Sequence, residues 1–442
     1  MKKAFYLETF GCQMNVVDSE QIVDLLQQVD YVQVPSPDQA DLVLLNTCSV
    51  RDKAERKVYG HLGRFKPIKD LRPELIIAVG GCVAQQEGER MLEKVPYLDL
   101  VFGTHNIHHL PQLVKQVEEQ RKRGVEIDFL DRETRLNLFP ERTQRDSVTR
   151  FVTVMQGCDN FCSYCIVPHV RGREISRPSR EVVTEVEGLV AQGAREVTLL
   201  GQNVNSYGNR DDSELSFAQL LEQVHDVDGL QRLRFATSHP KDLTDELIEC
   251  FGRLEKLCQH IHLPLQSGSD RILKLMNRGY TSGDYLRKVE YLKKVCPQIH
   301  LTTDIIVGFP GETEEDFQAT LDLVEQVSYA DAYTFLYSPR IETAAAKMYD
   351  DQTGPQKQER FDRLLKVQQR ISADIWRADA DRTLPVLVEG VSKQGNGQIF
   401  GRTEWNRIVN FAGTEDLIGS IVPVRIVKVH RNSHLGEITA PQ

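Results

Sequence analysis

Three of the nine cysteines of this 442-residue chain lie close enough together to share one loop. This tight triplet, in the sequence GCDNFCSYC, consists of Cys158, Cys162 and Cys165. Three thiolates on one loop can hold three corners of a cubane iron–sulfur cluster, whereas clusters that only transfer electrons use four cysteines. Because no fourth cysteine follows here, the fourth iron would stay open to a ligand that binds and reacts there. The spacing therefore favours a reactive [4Fe–4S] cluster.

A zinc site is the alternative for the same residues. Pro168 and His169 follow the tight triplet closely, and zinc accepts sets of three cysteines and one histidine. Spacing alone leaves both kinds of metal site open.

A second, dispersed triplet consists of Cys12, Cys48 and Cys82, each of which follows a short apolar stretch. These stretches alternate with helical periodicity, which favours an open parallel sheet. We predict its strands at residues 3–9, 41–46, 75–80 and 98–103. Because the ligand crevice of such a sheet lies outside the carboxyl ends of its strands, the three cysteines can converge there on a metal or a cluster. Each taken singly could also be a buried structural cysteine.

The other cysteines and the hydropathy of the chain indicate its compartment. Cys250, Cys258 and Cys296 lie in or beside helical patterns, and we expect them to pack in the core. The sequence after Met1 has no secretory pattern, and no apolar run approaches the ~18 to 20 residues of a membrane span. We therefore expect free thiols in the cytoplasm and no contact with a membrane.

Charge is unevenly distributed along the chain. The formal net charge of −10 argues against a protein that coats nucleic acid over its whole surface. A local basic patch nevertheless follows the tight triplet, and it consists of Arg171, Arg173, Arg177 and Arg180. Such a run can be a solvated face, but beside a reactive iron it is also a candidate for phosphate contacts.

Strand and helix patterns alternate again in the middle of the chain. Residues 121–147 are crowded with charge and lack a sustained period, which predicts a linker. Six strand candidates follow, at residues 151–157, 195–203, 232–240, 260–268, 300–310 and 331–339. Six β/α units are fewer than a closed eightfold barrel requires, so we expect an open, partial (β/α)6 barrel. The polar tips of its strands suit a small polar ligand.

The end of the chain changes character. From Pro385 onward, β-branched runs of period two predict a small antiparallel barrel. Residues 382–442 carry seven Lys/Arg against five Asp/Glu, a net of +2 in an acidic chain. This asymmetry hints at a nucleic-acid module, with Arg402 and Arg407 as candidate contacts. Aromatic residues of the segment could stack on bases or be buried, and they are Phe400, Trp405 and Phe411.

These motifs resemble those of the radical S-adenosylmethionine methylthiotransferases. The resemblance spans nearly the whole chain and rests on the cysteine loop GCDNFCSYC together with NTCSVRDKAERKVYGHLGR, GCVAQQEGE, GQNVNSYG, HLPLQSGSDRIL and DIIVGFPGETEEDF. Two places depart from the family pattern. His169 stands where Tyr is more usual, and Ile341-Glu342 replaces a usual Pro-Gly pair in a loop that could adjust substrate contact.

The resemblance implies a domain organisation and cofactors. It implies an N-terminal domain at 1–120, the linker at 121–147, a radical S-adenosylmethionine core at 148–380 and an RNA-binding TRAM barrel at 381–442. The tight triplet would hold the [4Fe–4S] cluster that generates a 5′-deoxyadenosyl radical. The dispersed triplet would hold an auxiliary [4Fe–4S] cluster whose open iron carries the sulfur. The strand-tip candidates for binding S-adenosylmethionine are Gln202, Ser238 and Gln266.

The resemblance also implies the reaction. One S-adenosylmethionine would methylate the sulfur, and a second would supply the radical that removes the hydrogen at C2 of N6-isopentenyladenosine at tRNA position 37. The carbon radical would then capture the methylthio group. An unactivated aromatic C–H offers no proton to a side-chain base, so radical chemistry from a cofactor is required.

Partners and alternatives follow from the same resemblance. The partners are the tRNA anticodon stem-loop, an electron donor such as flavodoxin or ferredoxin, and a sulfur donor, and we expect a monomer. One alternative is a sister enzyme that acts on N6-threonylcarbamoyladenosine or on a ribosomal protein aspartate. The others are an iron–sulfur carrier without a substrate and a zinc-stabilised RNA-binding protein.

Overall fold

The computed structural model describes residues 2–49, 52–136, 147–211, 213–393, 395 and 397–439. Residues 137–146 of the predicted linker lie outside this part of the chain. The described residues form a parallel sheet with helices, a second parallel β/α unit and a small closed barrel, in that order. This architecture confirms the fold class predicted from the sequence.

An open sheet of six parallel strands forms the N-terminal unit. Its strands are β1 (Lys3–Thr9), β2 (Tyr31–Gln33), β3 (Leu42–Thr47), β4 (Ile76–Gly81), β5 (Leu100–Phe102) and β6 (Gly124–Glu126). Their order across the sheet is β2-β1-β3-β4-β5-β6. Every residue of β3 and β4 is buried, as in parallel sheets that are covered on both faces, and these strands therefore read as continuous apolar runs.

Helices cover both faces of this sheet. They are α1 (Gln13–Gln28), α2 (Asp52–Leu71), α3 (Cys82–Glu87), α4 (Glu89–Lys94) and α5 (Leu110–Gln120), and a short helix, α6 (Arg132–Leu136), comes after β6 in the chain. Successive side chains of a strand point to opposite faces. Leu42 and Leu44 of β3 accordingly belong to a core with α1 and α5, whereas Val43 and Leu45 belong to a core with α2, α3 and α4.

Two described elements, β6 and α6, lie inside the predicted linker of residues 121–147. β6 lies inside that range and pairs in parallel with β5, from Leu100 opposite Gly124 to Phe102 opposite Glu126. A strand of three residues is too short to show a period among charged neighbours, and it is stabilised by pairing with a distant part of the chain.

The central unit consists of two three-stranded parallel sheets and one short two-stranded antiparallel sheet. Its strands are β7 (Thr149–Thr153), β8 (Met155–Gln156), β9 (Ile175–Ser176), β10 (Glu196–Leu200), β11 (Arg232–Ala236), β12 (His260–His262), β13 (His300–Val307) and β14 (Asp331–Leu336). The sheets β11-β10-β7 and β12-β13-β14 are joined by a parallel bridge between Leu233 and Leu257. Six parallel strands thus form the predicted partial barrel.

Helices alternate with these strands. They are α7 (Val167–Arg171), α8 (Ser179–Ala191), α9 (Phe217–His225), α10 (Asp245–Arg253), α11 (Asp270–Leu275), α12 (Ser282–Val295), α13 (Glu314–Val327) and α14 (Gly354–Arg377). Cys250, Cys258 and Cys296 are buried here, as expected of packing residues, and all nine cysteines are free thiols. Within the described ranges, no helix is both long enough and apolar enough to span a membrane.

A closed barrel of five strands ends the chain. Its strands are β15 (Thr383–Val391), β16 (Gln398–Arg402), β17 (Ile408–Ala412), β18 (Ile421–Val429) and β19 (His434–Ile438). Arg232, the first residue of β11, donates to Pro385 O over 2.9 Å, and the Trp405 indole donates to Gln298 O, just before β13, over 3.1 Å. Because these contacts lie at the beginnings of β11 and β13, the barrel covers the amino ends of the central strands. The carboxyl ends are left for the site.

Burial decides the role of two barrel aromatics. Trp405 is 5% exposed and stacks on His300, and Phe411 is fully buried in the barrel core. The hypothesis that they stack on bases is therefore wrong for both.

Candidate cluster and cofactor site

The dispersed triplet lies at the carboxyl ends of three neighbouring strands. Cys12 follows β1, whereas Cys48 and Cys82 directly follow β3 and β4. Because β1, β3 and β4 are adjacent and parallel, these ends lie along one edge of the sheet. The topology thus brings together cysteines that are more than thirty positions apart in the sequence.

A close backbone approach joins Cys12 to Cys48. Gly11 has a φ of +133°, and a Cβ at this position would stand 2.4 Å from the Cβ of Cys48, so only glycine fits. Asn15 Nδ2 also donates to Thr47 O over 3.1 Å. The loop after β1 is therefore tied to the end of β3.

The thiols of the dispersed triplet differ in acidity. A hydrogen bond with Cys48 lowers the pKa of Cys12 to about 6. Burial raises the pKa of Cys82, and the guanidinium of Arg171 opposes that rise. Metal binding needs thiolates and releases protons, so an acidic Cys12 and a cation beside Cys82 suit the binding of a cluster. In the part of the chain that the structure describes, no group of three His, Cys, Asp or Glu side chains is placed so that it could hold a metal ion.

The tight triplet lies on a loop between β8 and β9, which pair at its base. The turn after α11 holds the other side of the loop. Ser163 N donates to Met276 O over 2.9 Å, and Asn277 Nδ2 donates to Phe161 O over 3.1 Å. The backbone is thus held on both sides of Cys162.

A buried arginine accompanies this triplet. Arg278 Nη1 lies 3.3 Å from Cys162 Sγ, and its Nη2 donates to Pro264 O over 2.9 Å. Burial raises the pKa of Cys158 to about 11 and that of Cys165 to about 12. Both thiols must ionise to bind iron, and a fixed cation stabilises the charge that burial disfavours.

Three buried polar atoms near this loop have no hydrogen-bond partner among the described residues. They are Glu174 Oε1, Gln202 Nε2 and Asn203 Oδ1. Glu174 Oε2 accepts from Ser206 Oγ over 2.8 Å, and Gln202 Oε1 accepts from Gly157 N directly before Cys158. Buried polar atoms are normally paired, so such atoms indicate a ligand or water. Two acceptors and one donor suit the amino and carboxylate groups of an amino acid, such as the methionine end of S-adenosylmethionine.

The three predicted strand-tip residues have different hydrogen-bond partners. Gln202 reaches the cysteine loop, as described above. Ser238 Oγ instead donates to His262 O. Gln266 has a φ of +70° and bonds through its backbone to Asp304 O and Ile306 N. Sequence analysis missed Glu174, although a carboxylate directly before β9, at the end of the cysteine loop, is the signal that could have found it.

Burial contradicts the predicted RNA contact of three arginines, Arg171, Arg177 and Arg407. All three are buried and have interior partners. Arg171 pairs with Asp18, Arg177 pairs with Glu185, and the Arg407 guanidinium lies 4.5 Å from the centre of the Trp376 ring. A run of basic letters does not reveal whether carboxylates from distant elements already pair with it.

The other three arginines remain predicted RNA contacts. Arg180 is exposed, and Arg402 is partly exposed beside Glu389 at 3.1 Å. The guanidinium of the exposed Arg173 lies 5.1 Å from the centre of the Phe161 ring, which is itself 44% exposed. An exposed aromatic ring beside a cation is typical of surfaces on which nucleic acid bases stack.

The two departures from the family pattern contact each other. His169 Nδ1 lies 3.7 Å from Glu342 Oε2. Glu342 has a φ of +76°, in the left-handed region that favours glycine. An exposed contact of this kind adds little stability.

Comparison with known sequences divides the chain into three parts. Residues 4–103 match the uncharacterized protein family UPF0004, residues 152–324 match the Radical SAM superfamily, and residues 381–439 match the TRAM domain.

Two relatives of similar length match this chain from end to end. A protein of Syntrophotalea carbinolica described as tRNA-2-methylthio-N(6)-dimethylallyladenosine synthase is 64% identical over 98% of this chain and 99% of its own. A protein of Geobacter sulfurreducens with the same description is 59% identical over 99% of this chain and 97% of its own.

Solved structures share the fold. The radical S-adenosylmethionine methyltransferase TsrM from Kitasatospora setae has a TM-score of 0.58 at 16% identity, over 78% of this chain and 77% of that chain. The cobalamin-dependent S-adenosylmethionine radical enzyme OxsB has a TM-score of 0.52 at 13% identity, over 84% of this chain and 56% of that chain. At such identities the likeness concerns the fold alone.

Alanine substitutions separate the two triplets. Cys12→Ala or Cys82→Ala should remove about four of the about eight irons of two cubanes and leave cleavage of S-adenosylmethionine intact. Cys162→Ala should remove about four irons and abolish that cleavage. Anaerobic reconstitution followed by iron and 5′-deoxyadenosine analysis measures both. Cys258→Ala, at the amino ends of the central strands, is the control and should keep all iron. Unchanged iron in Cys12→Ala would show that the dispersed triplet is structural.

The acidity of Glu174 predicts a pH dependence. Burial raises the pKa of Glu174 to about 7. The Glu174 carboxylate therefore forms as the pH rises through about 7, and a hydrogen bond between it and the amino group of S-adenosylmethionine should strengthen as the pH rises and be lost as the pH falls. The ratio of S-adenosylmethionine affinities, wild type over Glu174→Gln, should increase between about pH 6 and about pH 8. A ratio that stays constant would exclude Glu174 from the binding site.

Proposed function

Since this chain belongs to the family of tRNA-2-methylthio-N(6)-dimethylallyladenosine synthases, we propose that it transfers a methylthio group to C2 of N6-isopentenyladenosine at position 37 of tRNA. The observation that carries this proposal is the placement of the two cysteine triplets. Each lies at the carboxyl ends of parallel strands, and α7 connects the loop of one to the residues around the other. A reaction that joins sulfur to a carbon radical needs both groups at one place.

We assign one [4Fe–4S] cluster to each triplet. When bound, the clusters supply the electron that cleaves S-adenosylmethionine at the tight triplet and the transferable sulfur at the dispersed triplet. The protein holds the thiolates and their charge. Arg278 lies beside Cys162, and the Arg171 guanidinium opposes the rise that burial causes in the pKa of Cys82. Each triplet leaves one iron of its cubane without a cysteine, as ligand binding requires.

Glu174 and Gln202 orient S-adenosylmethionine. The free Oε1 of Glu174 accepts from the amino group of the ligand, and the free Nε2 of Gln202 donates to its carboxylate. Both side chains are fixed by their second polar atom, which is bonded to Ser206 and Gly157 respectively. The ligand is therefore held in one orientation beside the tight triplet, and such positioning lowers the entropic part of the barrier.

The substrate adenine must leave its stack to reach this site, since a base inside a helix or a stacked loop does not expose C2. Phe161 and Arg173 lie at the exposed rim and offer a stacking face with a cation for the flanking nucleotide. The C-terminal barrel covers the opposite ends of the central strands. An RNA that contacts both the site and the barrel must therefore lie along the flank of the central unit.

Further partners complete the proposal. Cleavage of S-adenosylmethionine consumes electrons, for which a flavodoxin or a ferredoxin is the expected donor, and a sulfur donor must restore the transferred sulfur. The free thiols and the proposed tRNA substrate support a cytoplasmic location.

Nucleoside analysis tests the proposed reaction. Reconstituted protein, S-adenosylmethionine, a reductant and tRNA that carries N6-isopentenyladenosine should yield the 2-methylthio nucleoside together with 5′-deoxyadenosine. Mass spectrometry of the digested tRNA measures the product, and tRNA with unmodified adenosine at that position is the matched control.

Two other outcomes redirect the assignment. Formation of 5′-deoxyadenosine without the product would exclude N6-isopentenyladenosine as substrate and favour threonylcarbamoyladenosine or a ribosomal protein aspartate. Intact clusters without any 5′-deoxyadenosine would favour an iron–sulfur carrier.

A further inference from the structure

The short helix α7 lies between the two cysteine triplets. It begins one residue after Ile166, which follows Cys165 of the tight triplet directly. Ile166 and Val170 pack against Cys82 of the dispersed triplet in a small buried cluster. One turn of helix thus touches a cysteine of one triplet and continues the loop that carries the other.

Arg171, the last residue of α7, forms a buried ion pair with the N-terminal unit. Its Nη2 donates to Asp18 Oδ2 over 2.6 Å and its Nη1 to Asp18 Oδ1 over 3.3 Å. The two side chains are 7% and 8% exposed. Asp18 belongs to α1, and Cys12 caps the N-terminus of this helix. The ion pair therefore connects the helix that begins at Cys12 with the helix that follows Cys165.

Backbone contacts hold the end of α7 in the same place. Thr104 Oγ1, from the loop after β5, donates to Val170 O over 2.6 Å. The adjacent His105 bonds through Nε2 to Arg171 O over 3.1 Å. Both bonds come from the loop after β5, so the end of α7 is held by contacts from α1 and from that loop.

We propose that the Arg171–Asp18 ion pair is a positioning device that fixes the dispersed triplet relative to the tight triplet. The consequence for sulfur transfer rests on the proposed function. A bidentate guanidinium–carboxylate pair restricts both distance and orientation. Buried pairs of this kind tolerate the loss of one partner poorly, because the other charge is left without compensation. A reaction between groups held on two units is sensitive to displacements of about 1 Å.

Thiol alkylation in the full-length chain, before clusters are loaded, tests the positioning directly. Cys82 is buried under α7, whereas Cys258 is equally buried at the far ends of the central strands. Arg171→Met and Asp18→Asn should each raise, by about 10-fold, the limiting rate at which iodoacetamide alkylates Cys82 at high pH, where the thiol is fully ionised and the thiolate fraction no longer sets the rate. The rate at Cys258 should stay unchanged, because only the local contact opens. Peptide mass spectrometry resolves the two sites.

Three further variants sharpen this test. Arg177→Met removes another buried, carboxylate-paired arginine of the same segment and should leave Cys82 as protected as in wild type. Arg171→Lys keeps the charge without the bidentate geometry and should give an intermediate rate. The double variant Asp18→Asn/Arg171→Met should alkylate no faster than the single variants, since both remove one interaction.

The reconstituted enzyme gives a second readout. In Asp18→Asn and Arg171→Met, the amount of methylthio nucleoside formed per 5′-deoxyadenosine should fall by about 10-fold or more, with KM for tRNA unchanged. An Arg171 that contacted RNA would instead raise KM and leave the product ratio intact.

The outcomes decide the proposal separately from the proposed function. Unchanged Cys82 alkylation in both single variants would overturn it, as would equal increases at Cys82 and Cys258 in every variant including Arg177→Met. If Arg171→Met alone unfolds, Asp18→Asn and Arg171→Lys decide by the same criteria. If wild type forms no methylthio nucleoside, the proposed function fails, while the alkylation rates still decide the role of the ion pair.

Discussion

Parallel strands place all their carboxyl ends along one edge of a sheet, and both cysteine triplets depend on this constraint. Three neighbouring strands bring together cysteines that are distant in the sequence, and the central strands carry the cysteine loop at the same kind of edge. The C-terminal barrel covers the opposite, amino ends through Arg232, Arg234 and Trp405. The chain therefore keeps its reactive thiols on one side and its structural contacts on the other.

The negative charge of buried thiolates explains why a buried arginine accompanies each triplet. Thiolates at a site from which water is excluded carry charge that burial disfavours. Arg278 Nη1 lies 3.3 Å from Cys162 Sγ. The Arg171 guanidinium, which pairs with Asp18, opposes the rise that burial causes in the pKa of Cys82. Each triplet has a fixed cation that comes from another segment of the chain. These side chains would offset the charge of bound clusters, and they contact the segments that carry the cysteines.

Features of long, regular patterns were predictable from the sequence. The predicted fold class, the six central strands and the convergence of Cys12, Cys48 and Cys82 on one sheet edge follow from apolar periodicity and topology. The three-residue strands β2 and β6 were not predictable, because pairing with distant strands rather than local pattern stabilises them. Arg171 was misread as an RNA contact, since its partner Asp18 lies 153 positions away. Glu174 was missed because the burial of a single carboxylate leaves no periodic trace.

Pulsed electron paramagnetic resonance of the reconstituted, fully reduced wild-type protein tests the central claim most directly, because it reports whether two clusters lie close together. We predict two reduced [4Fe–4S] signals with a resolved magnetic dipolar interaction, and loss of that interaction together with one signal in Cys82→Ala. A single cluster signal in the wild type, or two signals without any interaction, would contradict a site in which both triplets act on one substrate.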